Sequence, residues 1–149
     1  MTRNRTAINK TKALLEANPE RYDHADWFRA EQRDSYWRAP AADGSLAGVL
    51  GICIAGAAVA SSLRYDILTD GLGLGHPVEV ATGHRKDWYV AGADVLGLTY
   101  EEAKLLFNQH WLPKPGLSVS DVLTALAHGV DVEAVTDDDV VELFGVGRL

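Results

Sequence analysis

Cysteine is nearly absent from this sequence: Cys53 is the only one among 149 residues. A lone cysteine excludes an internal disulfide and any Cys-x-x-Cys metal or redox motif. A chain of this length buries enough surface to form a core without disulfide or metal cross-links. The first twelve residues are polar and basic, with no apolar segment typical of a secretory signal. Together these features predict a cytoplasmic protein.

Long hydrophobic runs are also missing. The longest, residues 46–60, has about fifteen residues, mainly glycine, alanine and aliphatic side chains, whereas a membrane span needs about 20. We therefore expect no membrane segment and predict a buried central helix over residues 50–63. Its glycines disfavour a helix, which indicates that another backbone packs closely against them.

Positively charged residues are also few. The 14 Lys and Arg are outnumbered by 21 Asp and Glu, which gives a net charge of −7. This balance disfavours nonspecific binding to nucleic acid. The acids are concentrated from Asp121 onward, where Arg148 is the one cation. They form either a solvated face or a surface that docks a basic partner, with nucleic-acid mimicry as a speculative variant.

The order of local signals predicts a mainly α, α+β domain that includes one small β-hairpin. The first helix is expected over residues 6–18 and is ended by Pro19. Residues 78–81 and 88–90 are interpreted as the two strands of the hairpin, after a glycine-rich loop at 71–77.

The second half of the chain carries clear helix boundaries. A short helix at 91–96 stops at a glycine, and Thr99 with Glu102 forms a capping box for the next. Ser118 or Ser120 begins a further helix that stops at Gly129. Thr136 is predicted to cap a last helix that ends at residue 145. We expect one domain over residues 1–149, with 116–149 as an acidic helical extension packed on it.

A set of motifs suggests a family. Cys-Ile-Ala-Gly at 53–56, a hairpin-like insert, and then Leu-Gly-Leu-Thr-x-x-Glu-Ala-x-x-Leu-Phe at 96–107 resemble a group of short uncharacterised proteins of bacteria, including actinobacteria, and of their phages. Those proteins also begin with a helix ending in Asn-Pro-Glu and then a tryptophan, as at 18–20 and Trp27. The resemblance covers residues 8–113 and implies a phage or actinobacterial accessory role, with no known activity.

This chain departs from that pattern at two places. Gly-Val-Leu at 48–50 stands where relatives carry Cys-Gly-Thr, and Ala57 stands where they carry tryptophan. The first difference removes a second cysteine, which puts any shared metal or redox role in doubt.

Cys53 is the main candidate for chemistry. At a helix start its thiol pKa could be lowered, and His84 could activate it, oriented by Asp94 or Asn108, as in papain-like hydrolases. The alternative is a buried core cysteine, since its sequence neighbours are apolar. The sequence favours the core interpretation.

Metal and nucleotide sites have weaker signals. Residues 22–26, Tyr-Asp-His-Ala-Asp, place three ligand types together, but a solvated turn explains them, and we expect no metal site or cofactor. The glycines of residues 71–75 precede a strand pattern rather than the helix that a phosphate loop requires.

The sequence therefore favours a non-catalytic accessory protein that binds a protein partner, such as a host factor, with a second copy of the chain as the other partner left open. The candidate contacts are Trp111 and the acids Asp137, Asp138, Asp139 and Glu142. The alternative is a cysteine-dependent hydrolase or transferase that uses Cys53 and His84. For Trp111 itself, the sequence favours packing at a helix end over a partner contact.

Overall fold

The computed structural model describes residues 3–24, 26–38, 46–108, 112–113 and 117–137, and their fold is α+β, as predicted. The helices are α1 (Arg5–Ala17), α2 (Ile54–Ala60), α3 (Trp88–Leu96), α4 (Tyr100–Leu106), α5 (Val119–Ala127) and α6 (Val132–Val135). The strands are β1 (Phe28–Ala30), β2 (Tyr36–Arg38), β3 (Val49–Ile52), β4 (Tyr65–Thr69), β5 (Gly75–Glu79), β6 (Leu112–Pro113) and β7 (Thr136–Asp137). A single 3-10 turn, Pro19–Arg21, follows α1.

All strand pairs are antiparallel and form three small sheets within these ranges. β1 pairs with β3, β2 and β5 flank β4, and β6 pairs with β7. The β4–β5 hairpin sets Tyr65 opposite Glu79 at its open end and Thr69 opposite Gly75 at its turn. A bridge between Arg29 and Leu74 brings the first sheet against this hairpin.

The core is built around α2. Every residue from Ile54 to Ala60 is buried, and α1, α3 and β4 pack against this helix. Its side chains are mostly small, so the surrounding elements approach closely and supply the bulk, including Phe28 and Leu96. The acidic extension begins with α5, which packs on α1 and buries Val122 and Leu126.

The helix expected at 50–63 is too long at both ends, since α2 covers only Ile54–Ala60. Residues 49–52 form β3, and the helix begins only after Cys53. A short apolar run suits a buried strand as well as a buried helix, and the pairing of Phe28 with Ile52 favours the strand here.

The predicted hairpin is also misplaced. β5 starts at Gly75 and pairs backward with β4, while residues 88–90 open α3 instead of forming a strand. The Asp87 carboxylate accepts a hydrogen bond from the Tyr89 N–H at 2.7 Å and so caps this helix. A cap of this kind fixes a helix start regardless of the β-favouring aromatics that follow.

Other helix boundaries are confirmed. α1 begins and ends within one residue of the expected positions. Gly97 has the left-handed conformation that ends α3, and capping boxes open α4 at Thr99 and α5 at Ser118. Thr136 is not the start of a helix: it follows α6 and begins β7. The helix predicted beyond it lies outside the described residues.

Among the described residues, no helix combines the length and the apolar character needed to cross a membrane.

Candidate functional site

Cys53 lies in the protein interior, with 3% of its surface exposed. Its Sγ accepts a hydrogen bond from the Gly56 N–H and thereby caps α2, and its thiol points to the Trp27 carbonyl oxygen at 3.8 Å. Burial raises the pKa of the Cys53 thiol to about 12, although the hydrogen bond from Gly56 acts in the opposite direction. A nucleophilic cysteine requires a lowered pKa and access to solvent, so this thiol has the character of a core group.

The structure does not bring the suggested catalytic residues into contact. His84 is exposed in the turn between β5 and α3, where its backbone carbonyl accepts a hydrogen bond from Glu79. Asp94 lies on α3, and its carboxylate binds Tyr65 and Arg64. Within the described ranges, no hydrogen bond links any of these groups to the thiol.

Asn108, the other suggested orienting residue, instead contacts His24. The His24 Nε2 lies 2.7 Å from the Asn108 carbonyl oxygen, and its Nδ1 lies 2.8 Å from the Tyr22 hydroxyl. The backbone carbonyl of Asn108 only accepts, so Nε2 donates to it, and Nδ1 shares the second hydrogen bond with the Tyr22 hydroxyl. Both nitrogens of this buried imidazole are therefore occupied. No cluster of three or more potential metal ligands occurs in the part of the chain that the structure describes.

The glycine-rich segment at 71–75 forms the tight turn of the β4–β5 hairpin. The Asp70 carboxylate accepts hydrogen bonds from the Leu72 and Leu74 N–H groups at 2.8 and 3.1 Å, and His76 Nε2 lies 2.9 Å from its other oxygen. The hydrogen bond from His76 is the main reason that the pKa of Asp70 is lowered. The turn's own carboxylate thus occupies the amides that a phosphate would need.

The predicted partner contacts fall mostly outside the described residues. This applies to Trp111, Asp138, Asp139 and Glu142. Asp137 is described only in its backbone, which pairs with Leu112 in the β6–β7 sheet.

A cleft of about 450 Å³ lies where the open end of the β4–β5 hairpin meets α3 and the start of α4. Tyr65, Ala93 and Leu98 line it and are themselves buried. Val90 and Tyr100 also line it, but they are 43% and 51% exposed. The cleft therefore combines a buried base with two large apolar groups that face water.

A polar network fixes the base of the cleft. The Tyr65 hydroxyl donates to Asp94 Oδ2 at 2.9 Å, and Arg64 forms an ion pair with the same oxygen at 3.2 Å. Arg64 also donates to the Asp94 backbone carbonyl, which ties the residue before β4 to α3. Burial, aided by the hydrogen bond to Asp94, raises the pKa of Tyr65 well above its usual range. The tyrosine stays protonated at neutral pH and acts as a donor.

Tyr100 is held by other aromatic rings. Its ring centroid lies 6.4 Å from that of Tyr89, which in turn contacts Trp27 edge-on at 5.1 Å. Trp27 stacks in parallel on Trp88, whose indole N–H donates to the Gly75 carbonyl. On the outer side, the Lys104 ammonium lies 5.6 Å from the Tyr100 ring centroid. An aromatic path thus runs from the core to the edge of the cleft and restrains the exposed ring.

Two charged side chains of opposite sign, Glu79 and Lys86, complete the lining. Glu79 accepts a hydrogen bond from the Thr82 hydroxyl at 2.9 Å. Lys86 takes part in no ion pair within the described residues. Neither residue belongs to a motif in the sequence, and Asp94 was predicted only as a partner of His84. The one local signal was the position of Tyr100 inside the capping-box motif at 99–102.

Comparison with protein-family models, curated proteins and solved structures found no match to this chain.

Proposed function

We propose that this chain is a non-catalytic binding protein that holds a segment of a protein partner in the cleft between Tyr65 and Tyr100. The observation that carries the proposal is the pair Val90 and Tyr100, two large solvent-exposed side chains in the lining of a cleft that has a buried base. Large apolar groups around a concave, pre-formed surface are typical of a site that anchors a partner's side chain.

The groups in the cleft suit binding better than catalysis. Tyr65, Asp94 and Arg64 satisfy one another, which makes the base rigid and leaves no free general base among them. Tyr100 already has Tyr89 on one side and the Lys104 ammonium near its ring, so less conformational entropy is lost when a partner packs against it than for an isolated side chain. A volume of about 450 Å³ accommodates one or two side chains of a bound segment.

The resemblance to short proteins of bacteria and phages supports an accessory role for such binding, in the cytoplasm of the bacterium or host. In this proposal the partner is a host factor, and the chain modulates it by occupying one of its surfaces. The acidic tail would add a second contact, for which Trp111 and the carboxylates from Asp137 to Glu142 remain the predicted residues. That second contact would favour a basic region on the same partner.

Selection from a random peptide display library tests the proposal directly. The full chain is immobilised, and peptides are recovered that bind it but not an unrelated protein of similar charge. We expect enriched peptides whose binding is lost with Val90→Asp and weakened about tenfold or more with Tyr100→Ala, as for an aromatic anchor.

A matched control is available on the same hairpin. Leu72 is 73% exposed at its turn, at the far end from Tyr65, so Leu72→Asp places the same charge on an apolar surface outside the cleft. Peptides should bind this variant normally. Enrichment of no peptide, or equal binding to the Val90→Asp variant, would contradict the proposed function.

A further inference from the structure

We infer that the partner segment carries a carboxylate, which pairs with Lys86 while a neighbouring apolar side chain packs between Val90 and Tyr100. This inference rests on the proposed function and names the chemistry of its ligand. It follows from the distribution of charge in and around the cleft.

The negative groups that line the cleft already have donors. Asp94 is paired with Arg64 and Tyr65, and Glu79 accepts from Thr82. Lys86 is different, because among the described residues its ammonium has neither a hydrogen-bond acceptor nor a carboxylate within ion-pair distance, whereas Glu79 at least accepts from a neutral hydroxyl. A partner carboxylate is the group that would complete this lining.

The backbone of Lys86 is held by hydrogen bonds, whereas its ammonium has no ion pair within the described residues. Its N–H donates to the Pro77 carbonyl at 2.9 Å, and the preceding residue bridges to Val78, so this turn lies along the edge of β5. The next residue, Asp87, caps α3. The backbone on both sides of the lysine is therefore anchored, and only the side chain must be ordered when a ligand binds.

The charge of the rest of the molecule differs from that of the cations near the cleft. The chain has a net charge of −7, so its surface as a whole repels an acidic segment. Near the cleft, the cations Lys86 and Lys104 lack ion pairs among the described residues, and Lys104 lies over the Tyr100 ring. A carboxylate would thus be accepted at this cleft and disfavoured over most of the surface, which is how charge complementarity creates specificity.

The peptides recovered in the display selection provide the probes for a binding measurement. We expect Asp or Glu to be enriched next to an aliphatic or aromatic residue. For a synthetic peptide of this kind, fluorescence anisotropy should show that Lys86→Gln weakens binding about tenfold and Lys86→Glu weakens it further. Replacing the peptide's acid by its amide should weaken binding to the wild-type chain similarly, but hardly affect binding to Lys86→Gln.

Arg85 provides the matched control. It lies one residue earlier in the same turn and is exposed, but it does not line the cleft. Arg85→Gln removes the same net charge and should change affinity by less than about twofold, since a general electrostatic effect at the surface is small. Circular dichroism and thermal melting of each variant confirm that it is folded. Peptides with amidated C-termini separate a side-chain carboxylate from a terminal one.

Each outcome separates the inference from the proposed function. Peptides that require Val90 but show no preference for acids, or that bind Lys86→Gln and wild type equally, would overturn the inference and leave the binding function intact. Equal losses with Arg85→Gln and Lys86→Gln would also overturn it. Self-association of the chain in sedimentation, abolished by Val90→Asp, would identify a second copy as the occupant instead. Failure to recover any cleft-dependent peptide would remove both proposals.

Discussion

The carbonyl oxygen of Trp27 lies directly over Gly56: a β-carbon at residue 56 would be 1.8 Å from it. The same β-carbon would be 2.8 Å from the Ile52 side chain. Backbone cannot move aside as a flexible side chain can, so no side chain fits here. The first turn of α2 is thus packed directly against the chain that leads into β1.

Gly56→Ala should therefore destabilise the protein strongly. We expect a loss of about 3 kcal/mol or more in the free energy of unfolding, because overpacking a rigid core forces the backbone apart. Urea denaturation followed by circular dichroism measures this loss.

Gly71→Ala is the control for that substitution. Its β-carbon would meet only the Asp34 carboxylate, at 3.9 Å, which is an ordinary contact. The free energy of unfolding should change by no more than about 0.5 kcal/mol. If both glycine variants had wild-type stability, the close packing of Trp27 on α2 would be refuted.

Cys53 can be tested as a helix cap. A serine hydroxyl can accept from the Gly56 N–H and donate to the Trp27 carbonyl as the thiol does, whereas alanine can do neither. We expect Cys53→Ser to be more stable than Cys53→Ala by about 1 kcal/mol.

The wild-type thiol should react with a disulfide reagent only as fast as the protein opens. Rapid labelling of the native protein at neutral pH would contradict the core assignment.

The raised pKa of Cys53 also predicts a pH dependence. The folded protein keeps the thiol proton up to a pH of about 12, while the unfolded chain releases it near the ordinary pKa of about 8.5. The stability tied to this proton is complete below the ordinary pKa and falls by about 1.4 kcal/mol per pH unit above it. Denaturation at pH 8 and near pH 10 should show a steeper loss for wild type than for Cys53→Ser. An equal loss of stability with pH in wild type and Cys53→Ser would contradict the assignment of Cys53 as a buried, protonated thiol.

The features that the sequence predicted well are those determined by neighbouring residues. The capping box of Thr99 and Glu102 and the glycine that ends α3 depend on contacts within a few residues, so they can be recognised from spacing alone. The division of residues 49–60 into strand and helix depends on the pairing of β3 with β1, which lies far away in sequence. Periodicity in a wholly apolar run contains no information about that partner.

The cleft could not be predicted either, because it also depends on contacts between residues that are distant in sequence. Tyr65 and Glu79 meet because β4 pairs with β5, and α3 then places Val90 and Asp94 beside them. None of these residues belongs to a motif, and each is common in its own element. Tyr100 stood in a recognised motif, but its exposure could not be read from the capping box. A site assembled from four elements becomes visible only after the fold is known.

The hydrogen bond between Tyr65 and Asp94 should stabilise the fold as well as shape the cleft. Tyr65→Phe leaves the carboxylate with Arg64, and we expect a loss of about 1 kcal/mol. Asp94→Ala, which removes the acceptor together with the Arg64 ion pair, should cost at least as much. The double variant should cost less than the sum of the two, because each single change removes the same bond. Thermal and urea unfolding of the four proteins measures this coupling, and strict additivity would contradict the bond.

Arg3 should contribute more stability than its place near the start of the chain suggests. Its guanidinium forms an ion pair with Glu102 at 2.7 Å and donates to the carbonyl oxygens of Leu126 and Val130. It therefore connects the residues before α1 to the start of α4 and the end of α5. We expect Arg3→Met to cost about 2 kcal/mol, as for hydrogen bonds to a charged group.

Glu102 shows how this ion pair responds to pH. Burial raises the pKa of Glu102, but the Thr99 N–H and the Arg3 guanidinium lower it more, so the net pKa is below the ordinary value. A lowered pKa contributes stability that is complete above the ordinary value and is lost as the pH falls through the folded one. Wild type should thus lose more stability between pH 7 and pH 3 than Glu102→Gln, which keeps an acceptor for Thr99. Glu101→Gln, at the exposed neighbouring position, should follow wild type. If Glu102→Gln instead followed wild type throughout this range, the Arg3–Glu102 pair would contribute nothing to folding.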